Sequence, residues 1–337
     1  MIHEPLEMGE GDTPVISLPT LARYAGIPEI FVKAEWMNPT GSYKDRIAAA
    51  TITDAVRKRQ RGWIGTSSGN GGAAMAAYGA RAGLRGFLCV AANAPNEKLV
   101  SILPYGATIL PMTSLGLVEM DAIAGLAAEY DLKLSVTAYR YNPEGMSGAE
   151  RIGSELLRQG SFTHVYVPTG GGGLLVAIVR GMSHRDMRAP KVVCAQPRGC
   201  NPIVQFLNGT CGAPILERCE STISGLQLPD PPDGLLAADG VRDTGGWGSD
   251  VTDEDAWAAQ DLLARSEGVF VEPASALAVA ALLSDLRNGR LTSRDRPIVV
   301  LTGGGFKDLR RYSSKTGLDG RCYSLADLRT TLQSELT

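Results

Sequence analysis

The apolar positions of the chain follow two alternating patterns. Short, nearly continuous aliphatic runs predict buried strands at 29–35, 63–68, 85–92, 108–112, 132–136, 163–173, 191–197 and 297–304. The sixth and eighth run into glycine turns. Longer stretches with apolar residues at helical spacing predict helices at 42–60, 72–83, 96–107, 116–131, 148–160, 174–182 and 253–268. Thr252 is the expected N-cap of the last helix, with Asp255 as its capping-box acid. Strand and helix in alternation imply an α/β protein with open, mostly parallel, twisted sheets flanked by helices. The alternation fails at 210–250, where "LPDPPDG" and "DTGGWGSD" predict a loop covering a site.

Composition narrows the function classes. The chain has 337 residues, and 44% hydrophobic against 20% charged content supports one large domain or two ordinary ones. Basic residues are scattered and the net charge is -3, so no nucleic-acid or anionic-lipid partner is expected. The acidic, polar start "MIHEPLEMGEGD" does not resemble a signal peptide, and no apolar run reaches the roughly 18 residues of a membrane span. The six cysteines form no Cys-x-x-Cys pair, which predicts reduced thiols in a cytoplasmic protein. Only His3, His164 and His184 are present, so no histidine triad and no metal site is expected. The base of any reaction is another residue.

Three glycine turns each follow a predicted strand: "TSSGNGG" at 66–72, "PTGGGGL" at 168–174 and "LTGGGFKD" at 301–308. Strand ends of an open parallel sheet line one crevice, so the three turns can converge on one ligand. Gly170, Gly171, Gly172 and Gly173 end a strand and open a helix, which predicts a phosphate cradle of backbone N–H groups. The Lys-Ser/Thr ending of a nucleotide P-loop and the spacing of a dinucleotide fingerprint are both absent. In "NPTGSYKDR" at 38–46, Lys44 falls in the first turn of a predicted helix. The positive end of a helix dipole disfavours an ammonium group, which makes a neutral, Schiff-base-forming amine accessible there. An amine for an aldehyde and a cradle for a phosphate are the two anchors pyridoxal 5'-phosphate requires.

These motifs resemble the fold-type II pyridoxal-phosphate enzymes, the tryptophan synthase β family. "NPTGSYKDR" is similar to that family's lysine motif, "SSGN" at 67–70 to its asparagine loop, and "PTGGGGL" to the phosphate loop of its serine and threonine dehydratases. "GDTP" at 11–14, "AQPRGCNPI" at 195–203, "GVFVEPASALAVAAL" at 268–282 and "LTGGGFKD" resemble threonine synthase. The resemblance implies a large domain of residues 1–49 plus 151–337 and a small domain of residues 50–150. It implies Lys44 as Schiff-base lysine and general base, and Asn70 as partner of the cofactor's ring hydroxyl. Gly170, Gly171, Gly172 and Gly173 would hold the phosphate, and Thr302 would face the pyridine nitrogen. Ser67, Ser68 and Gly69 would bind the substrate carboxylate. A homodimer is the common assembly of the family.

A hydroxyl beside the pyridine nitrogen, unlike a carboxylate, does not hold a proton there. That favours loss of a leaving group from Cβ or Cγ over transamination. The expected activity is therefore β- or γ-elimination on an amino acid, with or without replacement, as in threonine synthase. A serine or threonine ammonia-lyase, a β-replacement synthase of cysteine-synthase type, a non-catalytic cofactor-binding paralogue and a nicotinamide dehydrogenase are the alternatives. One departure bears on substrate. Threonine synthases grip a substrate phosphate through an Arg and a Lys in a stretch resembling "NPEGMSGAER" at 142–151, where this chain has Gly145 and Glu150. Arg140, Arg151 and Lys98 are the nearby candidates to replace them.

Overall fold

The strand-like runs pair into two sheets. The protein is described from a computed structural model covering residues 6–92, 94, 99–182, 189–313, 322 and 324–336. The larger sheet has six strands in the order β1-β2-β10-β7-β8-β9, where β1 is Val15–Ser17, β2 Phe31–Ala34, β7 His164–Pro168, β8 Lys191–Pro197, β9 Gly248–Val251 and β10 Pro297–Leu301. Only β1 runs antiparallel. The smaller sheet is fully parallel, in the order β5-β4-β3-β6, with β3 at Gly62–Thr66, β4 Arg85–Ala91, β5 Thr108–Met112 and β6 Leu132–Ser135.

The continuous apolar runs follow from burial on both faces. In β10, Val299 and Leu301 enter one core while Ile298 and Val300 enter another on the opposite face. The first core includes Ala276, Leu277 and Val279 of the helix Pro273–Arg287, and the second Leu175 and Ile178 of the helix Gly173–Met182. The smaller sheet is covered on one side by Ile52, Ala74 and Tyr78, from the helices Lys44–Arg57 and Asn70–Arg81. Ile123 and Ala127 of the helix Leu117–Glu129 cover the other side.

Strand β1 and the helices Pro19–Ala25 and Pro273–Arg287 are not among the predicted elements, and three predicted segments differ in the structure. The helix expected at 148–160 begins at Pro143, where Asn142 caps it by accepting from Gly145 N at 3.1 Å. Glycines hid that start, and packing explains them. A Cβ on Gly145 would lie 2.1 Å from Thr51 Oγ1, and one on Gly148 2.1 Å from the Arg46 carbonyl oxygen. The expected loop at 210–250 holds the helix Gly234–Asp243 and most of β9. That helix buries only the small residues Gly234, Ala237, Ala238, Gly240 and Val241, a weak periodic signal between Pro- and Gly-rich flanks. The expected helix at 96–107 lies partly outside the described residues, and its described end is a short turn at Leu103–Tyr105. The Thr252–Asp255 capping box forms as expected.

Residues 1–307 form one compact unit containing both sheets, and residues 308–337 form a second. The second unit carries the helix Leu325–Leu336. Among the described residues, no helix is long and apolar enough to cross a membrane.

Candidate active site

Lys44 is the first residue of the helix Lys44–Arg57, as its motif predicts. The preceding turn is closed by Gly41 N donating to the Asn38 carbonyl at 2.7 Å, with Gly41 in the left-handed region at φ 85°. Asp45 folds back over this turn and accepts from Thr40 N at 2.8 Å and Thr40 Oγ1 at 2.6 Å. Burial pushes the Asp45 carboxyl up to about 6 against the opposing effect of those bonds. The Lys44 side chain is half-buried. Its Nζ donates to Thr137 Oγ1 at 2.9 Å and lies 4.6 Å from the centre of the Tyr43 ring. The cation at the helix start is thus met by a hydroxyl oxygen and an aromatic face.

A buried charge cluster fixes the helix start from below. Arg46 pairs with Glu35 at 2.7 Å and with Glu155 at 2.6 Å, and Lys33 pairs with Glu155 at 2.6 Å. All four side chains are at most 3% exposed. Two cations and two carboxylates leave no net charge, the condition for burying them. The "GDTP" segment closes the cluster. Thr13 Oγ1 donates to Glu35 at 2.6 Å, Asp12 N to Glu155 at 3.0 Å, and Gly11 N to Asn38 Oδ1 at 3.0 Å.

The glycine loop connects β7 to the helix Gly173–Met182. The backbone N–H groups of Gly170, Gly171, Gly172 and Gly173 have no hydrogen-bond partner among the described residues. Four consecutive free donors at a helix start form an anion-binding concavity. Gly172 has φ 91°, which a side chain rarely adopts. The segment before Gly234 covers the loop. A Cβ on Gly170 would lie 2.6 Å from the Gly225 carbonyl, and one on Gly172 2.7 Å from that of Asp233. Asp233 N donates to the Gly171 carbonyl at 3.0 Å.

Ser67, Ser68 and Gly69 form the half-buried turn that opens the helix Asn70–Arg81. The N–H groups of Asn70, Gly71 and Gly72 have no partner among the described residues, so this helix start is a second set of free donors. Asn70 Nδ2 donates to Glu272 at 2.9 and 3.1 Å, while Asn70 Oδ1 accepts from Lys307 Nζ at 3.1 Å. Thr302 directly follows β10 and is 5% exposed. Its hydroxyl lies 2.8 Å from Ser275 Oγ, which also accepts from Thr302 N and Gly303 N, each at 3.0 Å.

Thr137 and Gly303 bring these parts together. Thr137 accepts from Lys44, and a Cβ on Gly173 would lie 3.3 Å from the Thr137 carbonyl. A Cβ on Gly71 would lie 3.1 Å from Ser67 Oγ and 3.7 Å from the Thr137 methyl. Tyr43 N donates to the Thr302 carbonyl at 3.0 Å, and a Cβ on Gly303 would lie 2.8 Å from Asn70 Nδ2. The lysine, the asparagine turn, the glycine loop and Thr302 therefore surround one region. The sequence reading missed Thr137, Ser275, Glu272 and Lys307. Of these, Glu272, Ser275 and Lys307 lie inside motifs quoted for other residues, whereas Thr137 carries no local signal.

The described basic residues weighed as phosphate partners have carboxylate partners of their own. Arg140 is 51% exposed and pairs with Asp121 at 3.7 Å, and Arg151 pairs with Asp12 at 3.9 Å. Gly145 faces Thr51 in a helix–helix contact, and Glu150 accepts from Tyr139 Oη at 2.8 Å. Lys98 lies outside the described residues.

A family profile described as "Pyridoxal-phosphate dependent enzyme" matches residues 6–303. A threonine synthase of Methanosarcina acetivorans is 32% identical over 324 residues, covering 90% of this chain and 76% of that protein. A threonine synthase of Methanocaldococcus jannaschii is 32% identical over 312 residues, covering 89% and 76%. Among solved structures, threonine deaminase isoform 2 of Solanum lycopersicum matches with a TM-score of 0.77 at 18% identity, over 91% of this chain and 83% of that one. At that identity the match bears on the fold alone.

Proposed function

The chain belongs to the family of pyridoxal-phosphate-dependent enzymes, and on that premise we propose a threonine-synthase-like enzyme that eliminates a β- or γ-substituent from an amino acid, with or without replacement. The observation that carries this reading is the convergence on one region of the Lys44 amine and four unpaired N–H groups at residues 170–173. The residues present fit the cofactor: a primary amine for its aldehyde, a donor concavity for its phosphate, and a hydroxyl for its ring nitrogen.

When bound, pyridoxal 5'-phosphate supplies an electron sink for the pair left at Cα after an amino acid loses its α-proton. Lys44 would hold the cofactor's aldehyde carbon, and its free amine would take the proton at Cα. Thr137 orients its amine. Gly170, Gly171, Gly172 and Gly173 hold the phosphate through their N–H groups. Asn70 would hold the ring hydroxyl, and Thr302 would serve the ring nitrogen as a hydroxyl donor. Ser67, Ser68 and Gly69, beside the free N–H groups of the helix start, bind the substrate carboxylate. Within residues 1–307, the two sheets support the division expected from sequence, a large domain of residues 1–49 plus 151–337 and a small domain of residues 50–150, while residues 308–337 form a unit of their own. A cytoplasmic homodimer completes the proposal, supported by six unpaired cysteines and by family habit.

The substrate we propose carries no phosphate monoester, because Arg140 and Arg151 pair with Asp121 and Asp12. A missing charge-assisted bond to an anion costs about 1.5–3 kcal/mol, roughly ten- to a hundredfold in binding. Steady-state kinetics on O-phosphohomoserine, serine, threonine, O-acetylserine and O-acetylhomoserine test this. The expected result is that O-phosphohomoserine trails a non-phosphorylated substrate by at least that factor. Efficient conversion of O-phosphohomoserine to threonine, well above the rest, would restore a plain threonine synthase. Release of a keto acid and ammonia from serine or threonine would identify an ammonia-lyase.

A further inference from the structure

Lys307 lies at the edge of this site with no role in the proposed reaction. Its side chain is half-buried, and its Nζ donates to Asn70 Oδ1 at 3.1 Å. On the other side of the same amide, Asn70 Nδ2 donates to both carboxylate oxygens of Glu272, at 3.1 and 2.9 Å. The backbone holds both partners in place. Glu272 N donates to the Gly303 carbonyl at 3.1 Å, and Gly304 N to the Gly41 carbonyl at 3.0 Å. The Lys307 stem packs over Gly41, whose Cβ would lie 3.4 Å from the Lys307 Cε.

An ammonium group can only donate and a carboxylate can only accept. An asparagine amide between them therefore has one favourable sense. Turning it over would set Nδ2 against the ammonium and Oδ1 against the carboxylate, replacing the charge-assisted bonds on both sides by repulsions. We propose that Lys307 is a positioning residue that, together with Glu272, fixes the sense in which Asn70 presents its amide to the cofactor ring. The inference rests on the reading of Asn70 as the ring-hydroxyl partner. Burial lowers the Lys307 pKa, and the nearby Asp45 and Glu272 carboxylates oppose that shift.

The test titrates the cofactor-stripped full-length chain with pyridoxal 5'-phosphate and records affinity and absorption maximum for Lys307→Met, Asn70→Ala and the combined variant. Lys307→Met is expected to weaken cofactor binding about tenfold or more and to move the absorption maximum. Asn70→Ala is expected to do the same, and the combined variant to be no weaker than Asn70→Ala alone. Should Lys307→Met not fold, Lys307→Gln carries the same test, since Gln can accept as well as donate and frees the amide to turn. Parent-like affinity and spectrum in the Lys307 variant would overturn the inference while leaving Asn70 in its role. A combined variant weaker than Asn70→Ala by the full Lys307 factor would do the same. Parent-like binding by Asn70→Ala would overturn the reading of Asn70 and this inference with it.

Discussion

Ser275 Oγ receives two backbone N–H groups, from Thr302 and Gly303, each at 3.0 Å. A hydroxyl has two lone pairs and one proton. With both lone pairs engaged, Ser275 can only donate, to Thr302 Oγ1 at 2.8 Å or to the Gly303 carbonyl at 3.3 Å, and in either case the Thr302 proton is left to serve another acceptor. The residue assigned to the ring nitrogen is thus set up as a donor by a neighbour. An unprotonated ring nitrogen fits that arrangement. Thr302→Asp would instead hold a proton on the ring. It should shift products toward racemisation or transamination, read by chiral chromatography of recovered substrate beside product analysis. An unchanged product ratio at measurable activity would show that Thr302 does not serve the ring. At this scale the sequence revealed residues whose motif is a local spacing, such as Lys44 and Asn70. It hid those whose importance comes from a partner far along the chain. Thr137 meets Lys44 across 93 positions, and Lys307 meets Asn70 across 237.

The helix that begins at Lys44 owes its placement to elements distant in sequence. Arg46, one turn in, is gripped by Glu35 and by Glu155 of the helix Pro143–Gln159, while the 11–14 segment closes over them. Burial alone would raise the Glu155 carboxyl, but hydrogen bonds and charge from Arg46 and Lys33 outweigh it and hold it down at about 2, from an ordinary 4.5. A depressed carboxylate stabilises the fold fully above the ordinary value, and that contribution is lost as pH falls from about 4.5 toward 2. Glu155→Gln leaves Lys33 buried without a carboxylate partner and Arg46 with Glu35 alone. It should lose about 3–5 kcal/mol of stability at neutral pH. The gap from the parent should narrow as the pH falls through that window. Urea unfolding at several pH values measures it, and a gap that stays constant would contradict the cluster's role. Most elements were readable because a parallel sheet buried on both faces writes itself as unbroken apolar runs. The helix start at Pro143 was not, since the close approach of Thr51 and the Arg46 carbonyl demands glycine where periodicity needs side chains.

At the scale of the whole molecule, one mostly parallel and one fully parallel sheet deliver their loops to one region. The six-stranded sheet contributes the glycine loop after β7 and Thr302 after β10, and the four-stranded sheet contributes the Ser67 turn after β3 and Thr137 after β6. The general rule that strand ends line a common crevice was enough to expect convergence from sequence. It did not show that Thr137 would be the point where lysine, glycine loop and serine turn meet. The central claim is that Lys44 is the residue that carries pyridoxal 5'-phosphate. Borohydride reduction of the purified holoenzyme fixes the cofactor to its lysine, and peptide mass spectrometry then locates it. The account predicts the modification on the peptide containing Lys44, and loss of both the cofactor's absorption band and turnover in Lys44→Ala. Modification of Lys307 or any other lysine, with the band and activity intact in Lys44→Ala, would contradict it.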